Sequence, residues 1–189
     1  MSKPLCVYGV LKTELGLKIK DEMLEWLNPL YDITEVDQEP PGILFEYPAI
    51  KKTLELSIEK DEPVLYIHTK GAANPNHDWF QPLVRKIWKD NFGNKELMDK
   101  IYDYSKNVQE PVVTCLFTGT GRECWFNAFV VNPIAAKIMN EKLKDPSKIE
   151  SRYYYERMFR EMMELKIVSV LSDSCNSSYD ICREILKYR

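Results

Sequence analysis

The sequence is poor in the residues that build metal sites and disulfide frameworks. It has only two histidines, His68 and His77, and its five cysteines include no Cys-x-x-Cys pair. Two histidines without such pairs cannot make the usual zinc spacings. An odd number of scattered cysteines is typical of reduced thiols, not of a disulfide framework. These shortages predict a cytoplasmic protein that is not held together by disulfides or zinc.

Long apolar runs and an excess of positive charge are also missing. No stretch reaches the roughly 20 apolar residues that a membrane-spanning helix needs, and the N-terminal segment has no signal-peptide pattern. Lys and Arg number 26 against 29 Asp and Glu, so the net charge of -3 creates no basic field for a phosphate backbone. We therefore expect no transmembrane segment and no nucleic-acid partner.

Common phosphate-binding and nucleophile motifs do not occur either. The P-loop pattern Gly-x-x-x-x-Gly-Lys-Ser/Thr and the Gly-x-Ser-x-Gly elbow are both absent. The run Thr118–Arg122 has two glycines after a strand-like segment, but Cys124 occupies the third glycine position of a dinucleotide fingerprint. Residues of strand composition follow instead of a helix, which favours a tight turn between two strands.

What is present is the composition of an ordinary globular protein, with 44% hydrophobic and 29% charged residues. A length of 189 residues suits one domain, residues 1–189. In the first half, strand-like runs alternate with segments of helical spacing. The strand-like runs are Leu5–Val10, Tyr31–Val36 and Val64–Ile67, and the helical stripes are Leu15, Ile19, Met23, Leu27 and then Tyr47, Ile50, Leu54, Ile58.

The second half adds further strands and helices. Strand-like runs are Val112–Phe117, Cys124–Val131 and Ile167–Leu171, and helical patterns begin near Asp78, Leu97, Pro133, Ile149 and Ser177. The pattern from Ile149 reads as a polar helix that ends near Glu164. Together the elements predict an α/β layered fold with a mixed, mostly parallel central sheet flanked by helices.

The stretch Val64–Gly71 joins a buried strand to His68, Thr69 and Lys70. Ligands collect at the carboxyl ends of strands in such sheets, so these side chains are candidates for ligand binding. Tyr8, Gly9 and Asp37, at the ends of the first two strands, are expected along the same edge. The alternative is that His68 is a histidine at the edge of the core and that Thr69 and Lys70 are merely the polar exit of a strand.

Aromatic and charged side chains elsewhere suit a sugar ring, whose C–H faces stack on aromatic rings and whose hydroxyls need directed partners. They are Trp79, Arg85, Trp88, Trp125, Tyr153, Tyr154, Tyr155 and Glu156. The alternative is that the tryptophans simply belong to the core. Glu156 reads either as a solvated helical partner of Arg152 or Arg160, or as a carboxylate general base.

These residues together resemble the GT-A-type glycosyltransferases, in particular the rhamnan synthesis protein F-like group. The matching pieces are the His-Thr-Lys-Gly run at 68–71 followed by Trp79 and Arg85, then Cys124–Val131 followed by Asn132-Pro133, and finally Glu156-Arg157. The resemblance spans about residues 5 to 160, and its specific part is the His-Thr-Lys-Gly run.

The resemblance implies transfer of a hexosyl or deoxyhexosyl group from a nucleotide sugar, linked to UDP, GDP or dTDP, to a polysaccharide, lipid-linked or protein acceptor. The nucleotide would lie across Tyr8, Gly9 and Asp37. Trp79, Trp125 and Tyr155 would contact the sugar or the acceptor.

The chain departs from the family where an Asp-x-Asp pair normally holds Mg²⁺ or Mn²⁺. His68, Thr69 and Lys70 stand at that place, so a divalent metal is not expected to be the cofactor. The hypothesis is a metal-independent site in which Lys70, helped by His68 and Arg85, holds the diphosphate with Thr69 and Gly71 beside it. Glu156 would take the proton of the acceptor hydroxyl.

Two alternatives remain open at this point. The first is a domain of the same fold that binds a nucleotide sugar or carbohydrate without catalysis, which the missing carboxylates favour. The second is an unrelated α/β protein whose aromatic residues serve the core or a protein interface.

Overall fold

The structure is a computed structural model that describes residues 2–38, 46–70, 72, 81–119, 122–149 and 154–172. The strands are β1 Leu5–Leu11, β2 Asp32–Gln38, β3 Val64–His68, β4 Val112–Phe117, β5 Phe129–Val131 and β6 Lys166–Ser172. The helices are α1 Glu14–Leu27, α2 Tyr47–Lys60, α3 Gln81–Phe92, α4 Lys95–Asn107, α5 Pro133–Lys142 and α6 Tyr154–Arg157. Short 3₁₀-helical turns lie at Trp125–Asn127, Pro146–Lys148 and Met158–Glu161.

The six described strands form one mixed sheet in the order β2-β1-β3-β5-β4-β6. β1 pairs in parallel with β2 and β3, and β4 pairs in parallel with β6. β5 is antiparallel to both of its neighbours, β3 and β4. The predicted α/β class with a mixed, mostly parallel sheet is thus confirmed.

Helices cover both faces of this sheet. The chain crosses from β1 to β2 in one direction and from β2 past β1 to β3 in the other, and right-handed crossovers therefore place α1 and α2 on opposite faces. One core contains Tyr8 from β1, Met23 from α1 and Trp88 from α3. The other contains Tyr66 and Leu54 together with α5 and α6. We call these the α1 face and the α2 face.

Local sequence explains where several helices begin. Thr13 and Asn94 cap α1 and α4, because their side-chain oxygens accept from the backbone N–H of Gly16 and Leu97. Asn132 caps α5 in the same way, and its Oδ1 also accepts from Val112 N at 3.1 Å. This second bond ties the start of α5 to the start of β4.

Two elements differ from the sequence prediction. The run Cys124–Val131 is not one strand, because Trp125–Asn127 turns and only Phe129–Val131 joins the sheet. The prediction of a polar helix from Ile149 to Glu164 is also wrong for the part of this segment that the structure describes. That part has one α-helical turn, Tyr154–Arg157, and then a tighter turn that packs Met158 and Phe159 into the core. The helix predicted from Ser177 and the first residues of the one predicted from Asp78 lie outside the described residues.

Candidate functional site at the ends of β1 and β3

The candidate site lies where the neighbouring strands β1 and β3 end. β1 and β3 are parallel, so their carboxyl ends lie at the same edge of the sheet, and in α/β proteins this edge is the usual ligand position. Thr69 joins the two strand ends: its backbone N–H donates to Gly9 O at 3.0 Å, and its Oγ1 accepts from Leu11 N at 3.0 Å. Thr69 is buried. Its hydroxyl therefore links the end of β3 to the end of β1, because it accepts a hydrogen bond from the β1 backbone.

Lys70 and Glu156, two of the predicted site residues, meet at this edge. Lys70 Nζ lies 3.9 Å from Glu156 Oε1, and the two side chains are only 16% and 18% exposed. The same ammonium lies 5.2 Å from the centroid of the Phe126 ring. Limited contact with water strengthens both interactions. The distance to the carboxylate exceeds the 2.7–2.9 Å or so of a direct charged hydrogen bond.

Arg85, on α3, holds the backbone that follows β3. Its Nη1 donates to Lys70 O at 3.0 Å, and its Nε and Nη2 lie 3.4 Å from the carboxylate oxygens of Glu22 on α1. The Arg85 side chain is 11% exposed. The guanidinium thus positions Lys70 through its carbonyl, and its own charge faces Glu22.

His68 is buried between aromatic rings. Its imidazole stacks on Tyr66 at 5.8 Å and meets the edge of Trp88 at 5.5 Å. Burial holds the pKa of His68 well below its usual value, and the positive charge of Lys70 lowers it further, while a hydrogen bond to the Asn127 backbone acts in the opposite direction. His68 is therefore neutral at pH 7. The expectation that it adds positive charge for a diphosphate is corrected: it adds hydrogen-bonding capacity only.

A strained turn brings Phe126 under Lys70. Phe126 and Asn127 have φ angles of 66° and 51°, the left-handed region that side chains other than glycine rarely adopt. The Asn127 side-chain amide donates to the buried carboxylate of Glu46, just before α2. Such strain persists only where the surroundings enforce it, and it is common at functional sites. Here the Glu46 contact and the buried position of Asn127 enforce it.

Further polar side chains lie under this turn on the α2 face. Gln38, the last residue of β2, is buried over Gly9, where a Cβ would come within 2.3 Å of Gln38 Nε2. The absence of a side chain at Gly9 therefore makes room for the Gln38 amide. Burial and the Glu46 carboxylate raise the pKa of Tyr66, and the neighbouring Gln38 amide opposes that shift. These residues share one buried neighbourhood.

The other predicted site residues are more dispersed. The Tyr8 side chain belongs to the core on the α1 face, and burial raises its pKa. Asp37 lies within β2, is 65% exposed and pairs with Lys12 at 3.0 Å. Tyr155 is fully buried on the α2 face, and burial together with Glu46 raises its pKa. Gly71, Trp79 and the side chain of Trp125 lie outside the described part of the chain.

Four residues of this neighbourhood, Gln38, Glu46, Phe126 and Asn127, were missed by the sequence reasoning. Gln38 directly follows Asp37 at a strand end and could have been included on position alone. Asn127 tolerates the left-handed region better than most residues, which is a weak turn signal. It was hidden by the strand-like residues on both sides.

The residues at the end of β3 do not fit Mg²⁺ or Mn²⁺. Within the described ranges, no three His, Cys, Asp or Glu side chains lie together as a metal-binding group. The ammonium of Lys70 at the end of β3 repels a cation, and Glu156 beside it is a single carboxylate that already faces this ammonium. No step of the proposed chemistry therefore passes through a divalent metal.

A separate groove of about 1030 Å³ lies at the opposite edge of the sheet, beside the amino ends of β1 and β2. Several of its polar groups are engaged in structural contacts. The Tyr102 hydroxyl donates to Leu5 O and accepts from Leu65 N, and Lys106 pairs with Glu62. The groove lacks the strand-end geometry of the site above, which is the better candidate.

Comparison of the chain with models of protein families, with curated proteins and with solved structures found no match. No described helix combines the length and the apolar character needed to cross a membrane.

Proposed function

We propose that this chain is a glycosyltransferase that moves a sugar from a nucleotide-sugar donor to a hydroxyl of a polysaccharide, lipid-linked or protein acceptor. The observation that carries the proposal is the meeting of Lys70 and Glu156, 3.9 Å apart, at the end of β3. One cation and one carboxylate, both shielded from water, are the two groups that this transfer needs. The resemblance of the His-Thr-Lys-Gly run to GT-A-type enzymes supports the same reading.

The two side chains act on different reacting groups, Lys70 on the diphosphate leaving group and Glu156 on the acceptor hydroxyl. The Lys70 ammonium binds an oxygen of the donor diphosphate and stabilises the charge that develops as the bond from the anomeric carbon to the diphosphate breaks. The Glu156 carboxylate accepts the proton of the acceptor hydroxyl while the oxygen of that hydroxyl bonds to the anomeric carbon. The products are the glycosylated acceptor and the nucleoside diphosphate. Arg85 keeps Lys70 in place through its carbonyl.

A non-catalytic domain that only binds a nucleotide sugar is the second candidate. The same ion pair favours it, because a shielded Lys–Glu contact also serves as a purely structural link between β3 and α6. The two candidates differ in what Glu156 does. If the carboxylate is structural, its removal affects stability and leaves no chemical step to slow.

The experiment compares Lys70→Met and Glu156→Gln with Lys144→Met and Glu161→Gln. The second pair is a matched control, because Lys144 pairs with Glu161 at 2.9 Å and lies 5.4 Å from the Tyr154 ring on another part of the surface. UDP-, GDP- and dTDP-sugars are screened by thermal shift, and hydrolysis of the binding donor is followed with EDTA present. A ligand that binds the folded state raises the melting temperature by mass action.

We expect one donor to raise the melting temperature and Lys70→Met to weaken its binding at least about tenfold, while the two control variants bind like the parent chain. Glu156→Gln should still bind the donor but lose about 10²–10⁴-fold in donor hydrolysis. The proposal is wrong if no donor binds, or if Lys70→Met binds and hydrolyses it normally. Binding without any hydrolysis by the parent chain would establish the second candidate.

A further inference from the structure

Four buried side chains beside the Lys70–Glu156 pair each have a polar atom that lacks a well-aligned hydrogen-bond partner in the described part of the chain, although the Gln38 amide still interacts with the Tyr66 hydroxyl. The atoms are Gln38 Nε2, Tyr66 Oη, His68 Nδ1 and Asn127 Oδ1, and they lack a well-aligned partner among the described residues. The four residues are at most 4% exposed. We call them the polar cluster. Buried polar groups are nearly always paired, so several unpaired ones in one neighbourhood indicate a partner that is not part of the protein.

Direct contacts connect the polar cluster. The His68 ring stacks on Tyr66, and the Gln38 amide acts on the Tyr66 hydroxyl. The Asn127 backbone lies near enough to His68 to influence its pKa, and Asn127 donates its side-chain amide to Glu46. The four atoms come from the ends of β2 and β3 and from the turn before β5. The four residues therefore bring three elements of the fold together.

The chemistry of the polar cluster matches hydroxyl groups. The Gln38 amide nitrogen donates, Asn127 Oδ1 accepts, and the Tyr66 hydroxyl does both. His68 Nδ1 of the neutral imidazole donates or accepts, according to which ring nitrogen carries the proton. The four residues include no cation, and the nearby Glu46 is acidic, so a phosphate is disfavoured. A ring bearing several hydroxyls, each of which donates and accepts, fits.

The position of the polar cluster identifies which hydroxyls these are. His68 lies two residues before Lys70, and Asn127 follows Phe126, whose ring contacts the Lys70 ammonium. A diphosphate held by Lys70 therefore places its attached sugar next to the polar cluster. We propose that Gln38, Tyr66, His68 and Asn127 bind the hydroxyls of the transferred sugar and so select which monosaccharide is used. This inference rests on the proposed function for the source of the sugar.

The test measures dissociation constants for the nucleotide sugars and, separately, for UDP, GDP and dTDP alone. Tyr66→Phe and Gln38→Leu remove one polar group each at nearly constant volume. Thr114→Val is the matched control, because Thr114 on β4 also has a buried hydroxyl without a partner among the described residues but lies outside the polar cluster. Circular dichroism verifies that each variant is folded.

We expect Tyr66→Phe and Gln38→Leu to weaken binding of the nucleotide sugar about tenfold or more and to leave binding of the nucleoside diphosphate unchanged. Thr114→Val should change neither constant. If both folded variants bind the nucleotide sugar like the parent chain, or lose the sugar-free nucleotide equally, the inference is overturned. Two variants are used so that the failure of one to fold leaves the other to decide.

A second measurement separates this inference from the proposed function. Saturation-transfer NMR with free glucose, galactose, mannose and rhamnose reports sugar binding without any nucleotide. Binding that disappears in Tyr66→Phe supports the polar cluster as a sugar site even if no nucleotide sugar is used. If neither free sugars nor nucleotide sugars bind the parent chain, the inference is overturned together with the proposed function.

Discussion

At the scale of single residues, burial decides what His68 can do. A histidine at a strand end next to a lysine suggests a cationic pair. The structure instead encloses the imidazole between Tyr66 and Trp88 and sets it beside the Lys70 charge, and both influences favour the neutral ring. The residue therefore offers hydrogen bonding and no positive charge. It leaves Lys70 to supply the positive charge at the end of β3.

This neutral state predicts a pH dependence of stability. Because the pKa of His68 is lowered by folding, the unfolded chain takes up a proton below about pH 6.5 while the folded chain does not. The free energy of unfolding should therefore fall as the pH drops from 6.5, by up to about 1.4 kcal/mol per pH unit. Urea unfolding between about pH 7.5 and 5 measures the slope of the free energy of unfolding against pH. Most carboxylates titrate below this range and contribute little to the slope.

His68→Gln should flatten this part of the curve, and His77→Gln, which removes the other histidine, should keep it. An unchanged slope in His68→Gln would show that another group is responsible for it.

At the scale of elements, the turn before β5 is the piece that assembles the site. Its two left-handed residues place the Phe126 ring against Lys70 and the Asn127 amide against Glu46. Arg122 stabilises the neighbouring turn, because its guanidinium donates to the carbonyls of Phe159, Met162 and Leu165. The backbone N–H of Cys124 also donates to Glu156 O at 2.9 Å. The segment from Arg122 to Asn127 thus holds α6 and its Glu156 at the candidate site.

Substitution of Asn127 should separate the strain of this turn from its hydrogen bond. Asn127→Ala loses the bond to the buried carboxylate and keeps a Cβ at positive φ, so we expect a loss of about 2–4 kcal/mol in the free energy of unfolding. Asn127→Gly loses the bond but adopts the left-handed region freely, and should be about 1 kcal/mol more stable than Asn127→Ala. Urea denaturation measures both.

Asn140→Ala is the control, because Asn140 also bonds to a charged group, Lys51 Nζ at 2.6 Å, but lies in the ordinary α-helix α5. Its substitution should change stability by less than about 1 kcal/mol. Equal stabilities of Asn127→Ala and Asn127→Gly would mean that the positive φ stores no strain.

At the scale of the whole molecule, two cores share one sheet. Successive residues of β1 point to opposite faces, so Cys6 and Tyr8 belong to one core and Val7 to the other. Neither core can lose its packing while the strands between them keep theirs. The described part of the chain should therefore unfold as one cooperative unit.

Matched truncations on the two faces test this coupling. Leu27 on α1 and Leu54 on α2 are both fully buried, one in each core. Leu27→Ala and Leu54→Ala should each destabilise the protein by about 2–5 kcal/mol. In each variant, far-UV circular dichroism and tryptophan fluorescence should give the same urea midpoint. A variant in which the two midpoints separate would show that the cores unfold independently.

Local patterns in the sequence determined much of this architecture. Apolar residues at helical spacing predicted α1 and α2, and continuous apolar runs predicted β1, β3 and β4, because burial of one helical stripe or of both strand faces leaves a local signature. The same reasoning placed His68, Thr69 and Lys70 at a strand end. It failed at Cys124–Val131, where residues of strand composition form a turn that buried contacts hold in place.

Only the tertiary structure decided which of these residues share the site. Lys70 and Glu156 are far apart in sequence, and they meet because α6 packs against the turn that precedes the antiparallel strand β5. The neutral state of His68 and the burial of Gln38 over Gly9 likewise depend on neighbours from other elements. Periodicity records which side of an element is buried, whereas the partners it is buried against are set by the packing of the whole chain.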